Sequence, residues 1–524
     1  MCKIGSDIPR RIGAFRLLQA IFIGVYVNHI LTAPRGAHAE GRMLHRNGLR
    51  ELADLLTGRQ ASAREIAQDL LSRVGALNGR LNAFITVDQE RCLREADEAD
   101  ARRARGEARS DFDGIPVAVK DNICTAGLRT TCASGILRDF VPPYDAHAYA
   151  GMRAHGFATL GKTNMDEFAM GSTTETSFFG PARNPHDDTR VPGGSSGGSA
   201  VAVAALMAPA ALGSDTGGSI RQPAAFCGCV GVKPTYGRVS RYGLVAFASS
   251  LDQIGAFARS VDDAAALLAA VSGHDRRDST SIDRPVDFGP DSLTGDVRGL
   301  RIGMPEEYFA GVAPEIADRV RAQIAALEAE GATVRPISLR LTEYAVPVYY
   351  LIATAEASSN LARYDGIRYG TPAPDAANLA ELYERTRSAG FGKEVKRRIM
   401  LGTFSLSSGY YDAYYLKALK GRTLIIEDFR RAFAEVDVIV TPVTTTTAFG
   451  IGEKISDPLS LYLSDILTIS ANLAAIPGVS VPVGLDARGL PIGLQIMASH
   501  FQERVLLKAA KAVERVSPPV APAL

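Results

Sequence analysis

Apolar residues recur at helical spacing near the start of the chain. Ser62 and Glu65 have the spacing of a capping box, and Ile66, Leu70 and Val74 follow at intervals of four residues. This pattern predicts an amphipathic helix that begins after the capping serine. A second helix is predicted further along, where closely spaced charges of both signs over residues 88–105 are typical of a solvated helix face.

Strand and helix patterns alternate in the second half of the chain. Residues 300–304, 314–330 and 332–339 predict a strand, a helix and a strand in succession. Residues 479–485 and 490–497 flank a turn sequence and predict a β-hairpin. The alternation indicates an α/β protein.

Composition adds little to this picture beyond a broad class. The chain has 524 residues, 46% of them apolar and 22% charged, with a formal net charge of +1. Length alone favours two or three domains. The near-neutral charge argues against a protein that grips nucleic acid phosphates by itself. The six cysteines show neither a disulfide framework nor a zinc-binding spacing, which favours a reducing, cytoplasmic location.

The first 42 residues differ from the rest of the chain. A basic pair at residues 10–11 precedes an apolar stretch at 17–31, and residues 37–39 resemble a small-residue cleavage site. Polar residues interrupt the apolar stretch, however, and the sequence from Met43 reads as an independent start. We predict that residues 1–42 are a non-native, disordered or signal-like extension. A mature terminus directly after the cleavage-like site would instead identify a secretory signal.

Three short segments carry the candidate chemistry. They are Gly-Ile-Pro-Val-Ala-Val-Lys-Asp at 114–121, Gly-Gly-Ser-Ser-Gly-Gly-Ser at 193–199 and Gly-Ser-Asp-Thr-Gly-Gly-Ser-Ile-Arg at 213–221. The first predicts a buried strand that ends at Lys120. Either glycine-serine segment alone is equally compatible with a flexible loop. Residues 193–199 lack the lysine of a P-loop, and no GxGxxG dinucleotide pattern is present there.

Together and in this order, the three segments resemble the amidase signature family. Ser195 and Ser219 are 24 residues apart, and Lys120 precedes Ser219 by 99 residues, which matches the spacing usual in that family. The resemblance implies one amidase signature domain over residues 43–516, with a large mixed β-sheet covered by helices on both faces. A Pro-rich tail at 517–524 follows. This expectation replaces the multidomain one drawn from length.

Amide cleavage needs an activated nucleophile, a proton donor and a stabilised oxyanion. The resemblance implies Ser219 as nucleophile, Ser195 as proton relay after a cis peptide bond, and Lys120 as base. Lys120 can accept a proton only when neutral, so we expect burial to lower its pKa and Asp121 to face away from it.

The residues around the nucleophile have predicted roles as well. The oxyanion hole is assigned to four consecutive backbone N–H groups, those of Thr216, Gly217, Gly218 and Ser219. Asp215 and Arg221 are expected to support this loop from behind, while Ser196 and Ser199 are expected to be structural. No H-E-x-x-H motif is present, so no metal site is predicted.

Longer segments narrow the resemblance. Residues 237–255, 356–366 and 409–415 resemble the branch of the family that supplies ammonia in tRNA-dependent amidotransferases. That resemblance implies glutamine as substrate. Glutamine is a zwitterion, so it requires a cation opposite its α-carboxylate and an anion opposite its α-ammonium.

Three residues match the pocket positions of that branch. Arg398 and Asp465 are the implied partners of the α-carboxylate and the α-ammonium, and Tyr349 is expected to line the pocket. The alternative for Arg398 is an exposed helix face, and for Asp465 a local cap or ion pair.

The same resemblance implies partners, the B and C subunits of a heterotrimer. The B subunit would use ATP and magnesium to activate misacylated Glu-tRNA(Gln), and the C subunit would clamp the other two together. This chain would need no cofactor of its own, would contact tRNA mainly through the ATP-using partner, and would not enter a membrane. Activity on Asp-tRNA(Asn) stays open. Two alternatives also remain: a stand-alone amidase for small or aryl amides, and a catalytically silent scaffold.

Overall fold

The computed structural model describes residues 43–454 and 457–524. The extension predicted for residues 1–42 lies outside the described residues. From Leu44 to Leu524 the chain forms one compact unit. Among the described helices, none combines the length and the apolar character that a membrane span requires.

The core of the fold is a mixed sheet in which the described residues form eleven strands. The strands are β1 (Phe84–Val87), β2 (Pro116–Lys120), β3 (Ala158–Thr163), β4 (Ala210–Asp215), β5 (Val230–Lys233), β6 (Gln253–Ala258), β7 (Arg301–Pro305), β8 (Thr333–Ile337), β9 (Val438–Pro442), β10 (Gly478–Leu485) and β11 (Pro491–Ala498). Their order in the sheet is β1-β3-β2-β4-β6-β5-β10-β11-β9-β7-β8. Parallel and antiparallel pairings both occur, and the antiparallel hairpin of β10 and β11 was predicted from the sequence.

Helices flank this sheet, which confirms the predicted α/β class. The α-helices of the described residues are α1 (Leu49–Thr57), α2 (Ala63–Leu81), α3 (Gln89–Ala104), α4 (His147–Ala154), α5 (Gly197–Ala204), α6 (Arg221–Cys227), α7 (Val261–Val271), α8 (Pro314–Ala329), α9 (Ala345–Asn360), α10 (Leu379–Gly390), α11 (Lys393–Ser405), α12 (Lys417–Glu435), α13 (Pro458–Tyr462), α14 (Ile466–Leu473) and α15 (Glu503–Val516).

Local sequence signals explain several of these boundaries. The Ser62 side chain accepts a hydrogen bond from the Glu65 N–H, and the Glu65 carboxylate accepts one in return from the Ser62 N–H, so the capping box that starts α2 is confirmed. The solvated helix predicted over residues 88–105 is α3. The predicted strand, helix and strand of the second half are β7, α8 and β8.

The small residues of the central region allow a helix to lie inside the molecule. Every residue of α5 is buried. A Cβ on Gly198 would come within 2.4 Å of the Asn164 carbonyl oxygen, so only glycine permits this close backbone approach.

The sheet places the candidate catalytic residues at the carboxyl ends of two interior strands. Strands β2 and β4 are parallel neighbours, with Val119 paired to Leu212, so their carboxyl ends lie side by side. Lys120 is the last residue of β2 and Asp215 is the last residue of β4. Helix α5 begins just after Ser195. The segment at 193–199 is thereby brought next to the segments that carry Lys120 and Asp215.

Candidate active site

Lys120 lies in a shell of hydroxyl groups. Its Nζ is 2.8 Å from Ser195 Oγ, 2.7 Å from Ser196 Oγ and 2.9 Å from Ser214 Oγ, and the Ser214 carbonyl oxygen is 3.2 Å away. The predicted contact between the lysine and Ser195 is therefore present in the structure.

Burial controls the charge of this lysine. None of the Lys120 side chain is exposed, and desolvation lowers its pKa from 10.5 to about 7, although Asp166 and Asp215 act in the opposite direction. The expected direction of the pKa shift is thus borne out. Asp121 also faces away as expected, since its carboxylate accepts from the Thr131 N–H at 2.9 Å and lies 3.7 Å from Lys162 Nζ.

The peptide bond between Gly194 and Ser195 is cis, as the sequence led us to expect. Ser196 Oγ also contacts the lysine directly, a contact that the sequence did not indicate. Ser199 does lie outside the lysine shell and bonds Thr163 Oγ1 at 2.7 Å.

Ser219 adjoins this shell without completing it. Its carbonyl oxygen accepts from the Ser196 N–H at 3.2 Å, but no hydrogen bond joins the Ser219 and Ser195 hydroxyls among the described residues. Ser219 is 8% exposed, whereas Lys120 and Ser195 are fully buried. Of the three predicted triad residues, the proposed nucleophile is therefore the one with access to solvent.

A buried ion pair holds the loop that carries Ser219. Arg221 Nε and Nη2 donate to the Asp215 carboxylate at 3.2 and 3.1 Å, and neither side chain is exposed. Arg221 also donates to Gln495 Oε1 at 2.7 Å, and Asn472 Nδ2 donates to Asp215 Oδ1 at 2.8 Å. The charges of Arg221 and its neighbours outweigh burial and lower the pKa of Asp215. Both residues thus support the loop from behind, where the sequence placed them.

The predicted oxyanion hole needs one correction. The Gly218 N–H donates to Asp215 Oδ1 at 2.8 Å, so it shapes the loop and is not a free donor. The N–H groups of Gly217 and Ser219 have no acceptor among the described residues. The Thr216 hydroxyl donates to Asp252 Oδ1 at 2.7 Å, an anchor that no sequence motif indicated.

Tyr349 lies against this loop. A Cβ on Gly217 would come within 2.8 Å of the tyrosine hydroxyl, so glycine is needed for this contact. The Thr468 hydroxyl is 2.7 Å from the Gly217 carbonyl oxygen and 3.0 Å from that of Asp465. These contacts bring Asp465 and Tyr349 beside the loop that carries the proposed nucleophile.

Arg398 is buried rather than exposed on its helix. Its Nε donates to Glu394 Oε1 at 2.8 Å, and its guanidinium carbon lies 5.3 Å from the centroid of the Tyr350 ring and 5.4 Å from that of Tyr462. Its two terminal nitrogens make no hydrogen bond to any described residue. A desolvated cation with free donors is thus available for a carboxylate.

Asp465 has one occupied and one free carboxylate oxygen. Ser172 donates its hydroxyl proton to Asp465 Oδ2, while Oδ1 is buried and has no donor among the described residues. Burial raises the pKa of Asp465 to about 7, against the opposing effects of Ser172 and Arg398. The free oxygen is an acceptor suited to an ammonium group. Ser172 lies outside the recognised motifs and was missed from the sequence.

The chain matches a known family over most of its length. A family model described as Amidase matches residues 65–507. The chain therefore belongs to the amidase family, and the amidase signature fold expected from the three motifs is confirmed. No cluster of His, Cys, Asp and Glu side chains in the described ranges could hold a metal ion.

Individual relatives give a narrower likeness, which bears out the resemblance to the amidotransferase branch. The Glutamyl-tRNA(Gln) amidotransferase A subunit of Moorella thermoacetica is 58% identical over 466 residues, which cover 89% of this chain and 95% of that protein. The crystal structure of the Glutamyl-tRNA(Gln) amidotransferase A subunit from Thermotoga maritima is 42% identical with a TM-score of 0.77, covering 92% of this chain and 98% of that one. Native peptide amidase from Stenotrophomonas maltophilia is 30% identical with a TM-score of 0.77, covering 93% and 100%.

Proposed function

We propose that this chain is the glutaminase subunit of a tRNA-dependent amidotransferase. It hydrolyses the side-chain amide of glutamine through an ester on Ser219 and supplies the ammonia for Glu-tRNA(Gln). The observation that carries this proposal is that a buried cation and a buried carboxylate each keep hydrogen-bonding atoms free. Arg398 has free terminal nitrogens, and Asp465 has a free Oδ1. Together they complement the α-carboxylate and α-ammonium of glutamine.

The proposed chemistry begins with neutral Lys120. Ser219 Oγ attacks the amide carbon while its proton passes to Ser195 Oγ and the Ser195 proton passes to Lys120 Nζ. The proton then returns through Ser195 to the leaving nitrogen, the C–N bond breaks, and ammonia departs. Water attacks the resulting γ-glutamyl ester by the same relay, releasing glutamate and restoring Ser219.

The relay requires a hydrogen bond between the hydroxyls of Ser219 and Ser195. Hydrogen bonds at catalytic sites commonly tighten only when substrate is bound, so we assign this contact to the glutamine complex. The tetrahedral oxyanion would then accept hydrogen bonds from the free N–H groups of Gly217 and Ser219, each donor lowering the barrier by about 3 kcal/mol.

The remaining parts of the reaction belong to partners. The names of the relatives identify them as one subunit of an amidotransferase. We propose that the B and C subunits complete a heterotrimer, that the B subunit uses ATP and magnesium and holds the misacylated tRNA, and that the complex works in the cytoplasm. We also propose that residues 43–516 form one catalytic domain.

Ammonia release tests the proposal. The purified chain, alone and with its copurifying partners and misacylated tRNA, should release ammonia from L-glutamine, and Ser219→Ala should abolish that release. The stand-alone amidase would be supported instead if a free monomer hydrolysed aryl amides and left glutamine untouched. Retained ammonia release in Ser219→Ala would exclude the proposed mechanism altogether.

A further inference from the structure

The hydroxyl shell around Lys120 poses a problem of proton direction. A neutral amine has two N–H donors and one lone pair, and the proposed relay needs that lone pair to point at Ser195. Ser196 and Ser214 also lie within hydrogen-bond distance of Nζ. If either of them donated its own proton to the lysine, the lone pair would be occupied and Ser195 could not be deprotonated.

The direction of the Ser196 proton is fixed by the backbone. Ser196 Oγ donates to the Ser214 carbonyl oxygen at 3.0 Å, and a carbonyl can only accept. Ser196 therefore accepts a hydrogen bond from a Lys120 N–H. One lysine N–H is thus accounted for, shared between Ser196 Oγ and the more distant Ser214 carbonyl oxygen at 3.2 Å. The second N–H and the lone pair remain to be divided between the hydroxyls of Ser214 and Ser195.

The Ser214 proton has one other place to go. Among the described residues, the terminal amide of Asn122 is the other group within hydrogen-bond distance of Ser214 Oγ besides Lys120, with Asn122 Nδ2 2.9 Å away. Asn122 is 2% exposed, and its Oδ1 is buried without a donor in the same part of the chain. A half-turn of the amide exchanges its oxygen and nitrogen without changing its shape, and pairs the Ser214 proton with that unsatisfied oxygen.

We propose that Asn122 is a positioning residue that acts through Ser214 to aim the lone pair of Lys120 at Ser195. With its amide oxygen turned to Ser214, Asn122 accepts a hydrogen bond from the Ser214 hydroxyl, and Ser214 Oγ is left as an acceptor for a lysine N–H. The same arrangement suits the protonated lysine, whose three N–H groups then meet Ser195, Ser196 and Ser214. The inference rests on the proposed roles of Lys120 and Ser195 and applies whatever amide is cleaved.

The proposed role of Asn122 can be tested through the pH dependence of activation, because the charged groups around Lys120 need not be altered. The titratable groups that act most strongly on Lys120 are Asp166, Asp215, Asp252 and Cys132. Asp121 is adjacent in the chain but pairs with Lys162. Neutral substitutions at Asn122 and Ser214 leave all of these groups in place, so a shift in the pH midpoint of activation would report the hydrogen bonds alone.

Labelling of Ser219 by a fluorophosphonate, followed against pH in the copurified complex, measures activation of the nucleophile without reference to substrate. We expect Asn122→Leu to slow labelling by about tenfold or more, because the freed Ser214 proton then competes for the lone pair. The pH midpoint should also move down, since a hydrogen bond to the neutral amine disfavours the ammonium form. Asn122→Asp keeps an acceptor oxygen, and its added negative charge should move the pH midpoint up. Above that midpoint, the variant should be labelled at close to the normal rate.

A double variant tests whether Asn122 acts through Ser214. Ser214→Ala and Ser214→Ala with Asn122→Leu should label at the same rate, whereas independent roles would multiply the two losses and overturn the proposal. A normal labelling rate in Asn122→Leu would also overturn the proposal. So would a labelling rate in Asn122→Asp, measured above its pH midpoint, that falls as far as the rate in Asn122→Leu. Ser199→Ala, which removes another buried hydroxyl of the same helix region, should leave the midpoint unchanged. Failure of the unmodified complex to use glutamine would count only against the proposed function.

Discussion

Lys120 Nζ lies 2.8 Å from Ser195 Oγ, and neither side chain is exposed to solvent. Burial lowers the pKa of this lysine to about 7, so the amine is mostly protonated below that pH and mostly neutral above it. Because only the neutral amine can accept a proton, the rate of ester formation is coupled to its titration.

We therefore expect kcat for glutamine hydrolysis to rise with pH through about 7 and then to level. Lys120→Met should reduce kcat by at least about a thousandfold, since the general base is lost. Steady-state kinetics from about pH 5.5 to about pH 9 measure both effects. A flat profile over this range, with an active Lys120→Met variant, would refute the role of the lysine.

Much of this site could be predicted because its chemistry depends on local sequence. Lys120, Ser195 and Ser219 occur in short motifs whose order and spacing are specific, and the apolar strand before Lys120 already implied burial. Asp215 and Arg221 were expected to support the loop because both belong to the motif that carries the nucleophile, and the ion pair between them was found only in the structure.

The missed residues depend on contacts between distant segments. Ser172 meets Asp465 across 293 positions of sequence, and Thr468 meets Gly217 across 251. No periodicity or motif indicates such pairs. The error at Gly218 has a different cause, because its N–H could point to an oxyanion or to Asp215, and only the folded loop distinguishes the two.

The ion pair of Arg221 with Asp215 is predicted to be a major source of stability for the loop. Arg221→Met leaves the Asp215 charge buried without its main partner, so the free energy of unfolding should fall by about 3 kcal/mol. Chemical denaturation measures the change. Arg298→Ala is the matched control, because that arginine is paired but 80% exposed, and its loss should leave the free energy of unfolding essentially unchanged. Equal stability of Arg221→Met and the unmodified chain would show that the pair is not needed.

Arg398 is predicted to bind glutamine without taking part in the chemistry. Arg398→Ala should raise the KM for glutamine by about tenfold to a hundredfold, because charge-assisted hydrogen bonds to the α-carboxylate are lost. Fluorophosphonate labelling of Ser219 should persist at a similar rate. Lys393→Ala removes an exposed positive charge from the same helix and should change neither quantity. An unchanged KM in Arg398→Ala would remove this residue from the pocket.

Asp465 gives the most selective prediction, because its free oxygen matches only the α-ammonium of the substrate. Asp465→Asn should raise the KM for glutamine by about tenfold or more, through loss of a charged hydrogen bond. Glutaramate, which has the same amide and carboxylate but no ammonium, should be used equally well by both enzymes.

The pH dependence separates Asp465 from Lys120. Burial raises the pKa of Asp465 to about 7, so below that pH its carboxyl becomes neutral and the KM for glutamine should increase. Lys120 titrates in the same range but acts on both substrates alike. The ratio of the KM for glutamine to the KM for glutaramate therefore isolates Asp465. This ratio should increase as the pH is lowered through 7 in the unmodified enzyme and stay constant in Asp465→Asn. A ratio that does not depend on pH in either enzyme would show that Asp465 does not bind the α-ammonium of glutamine.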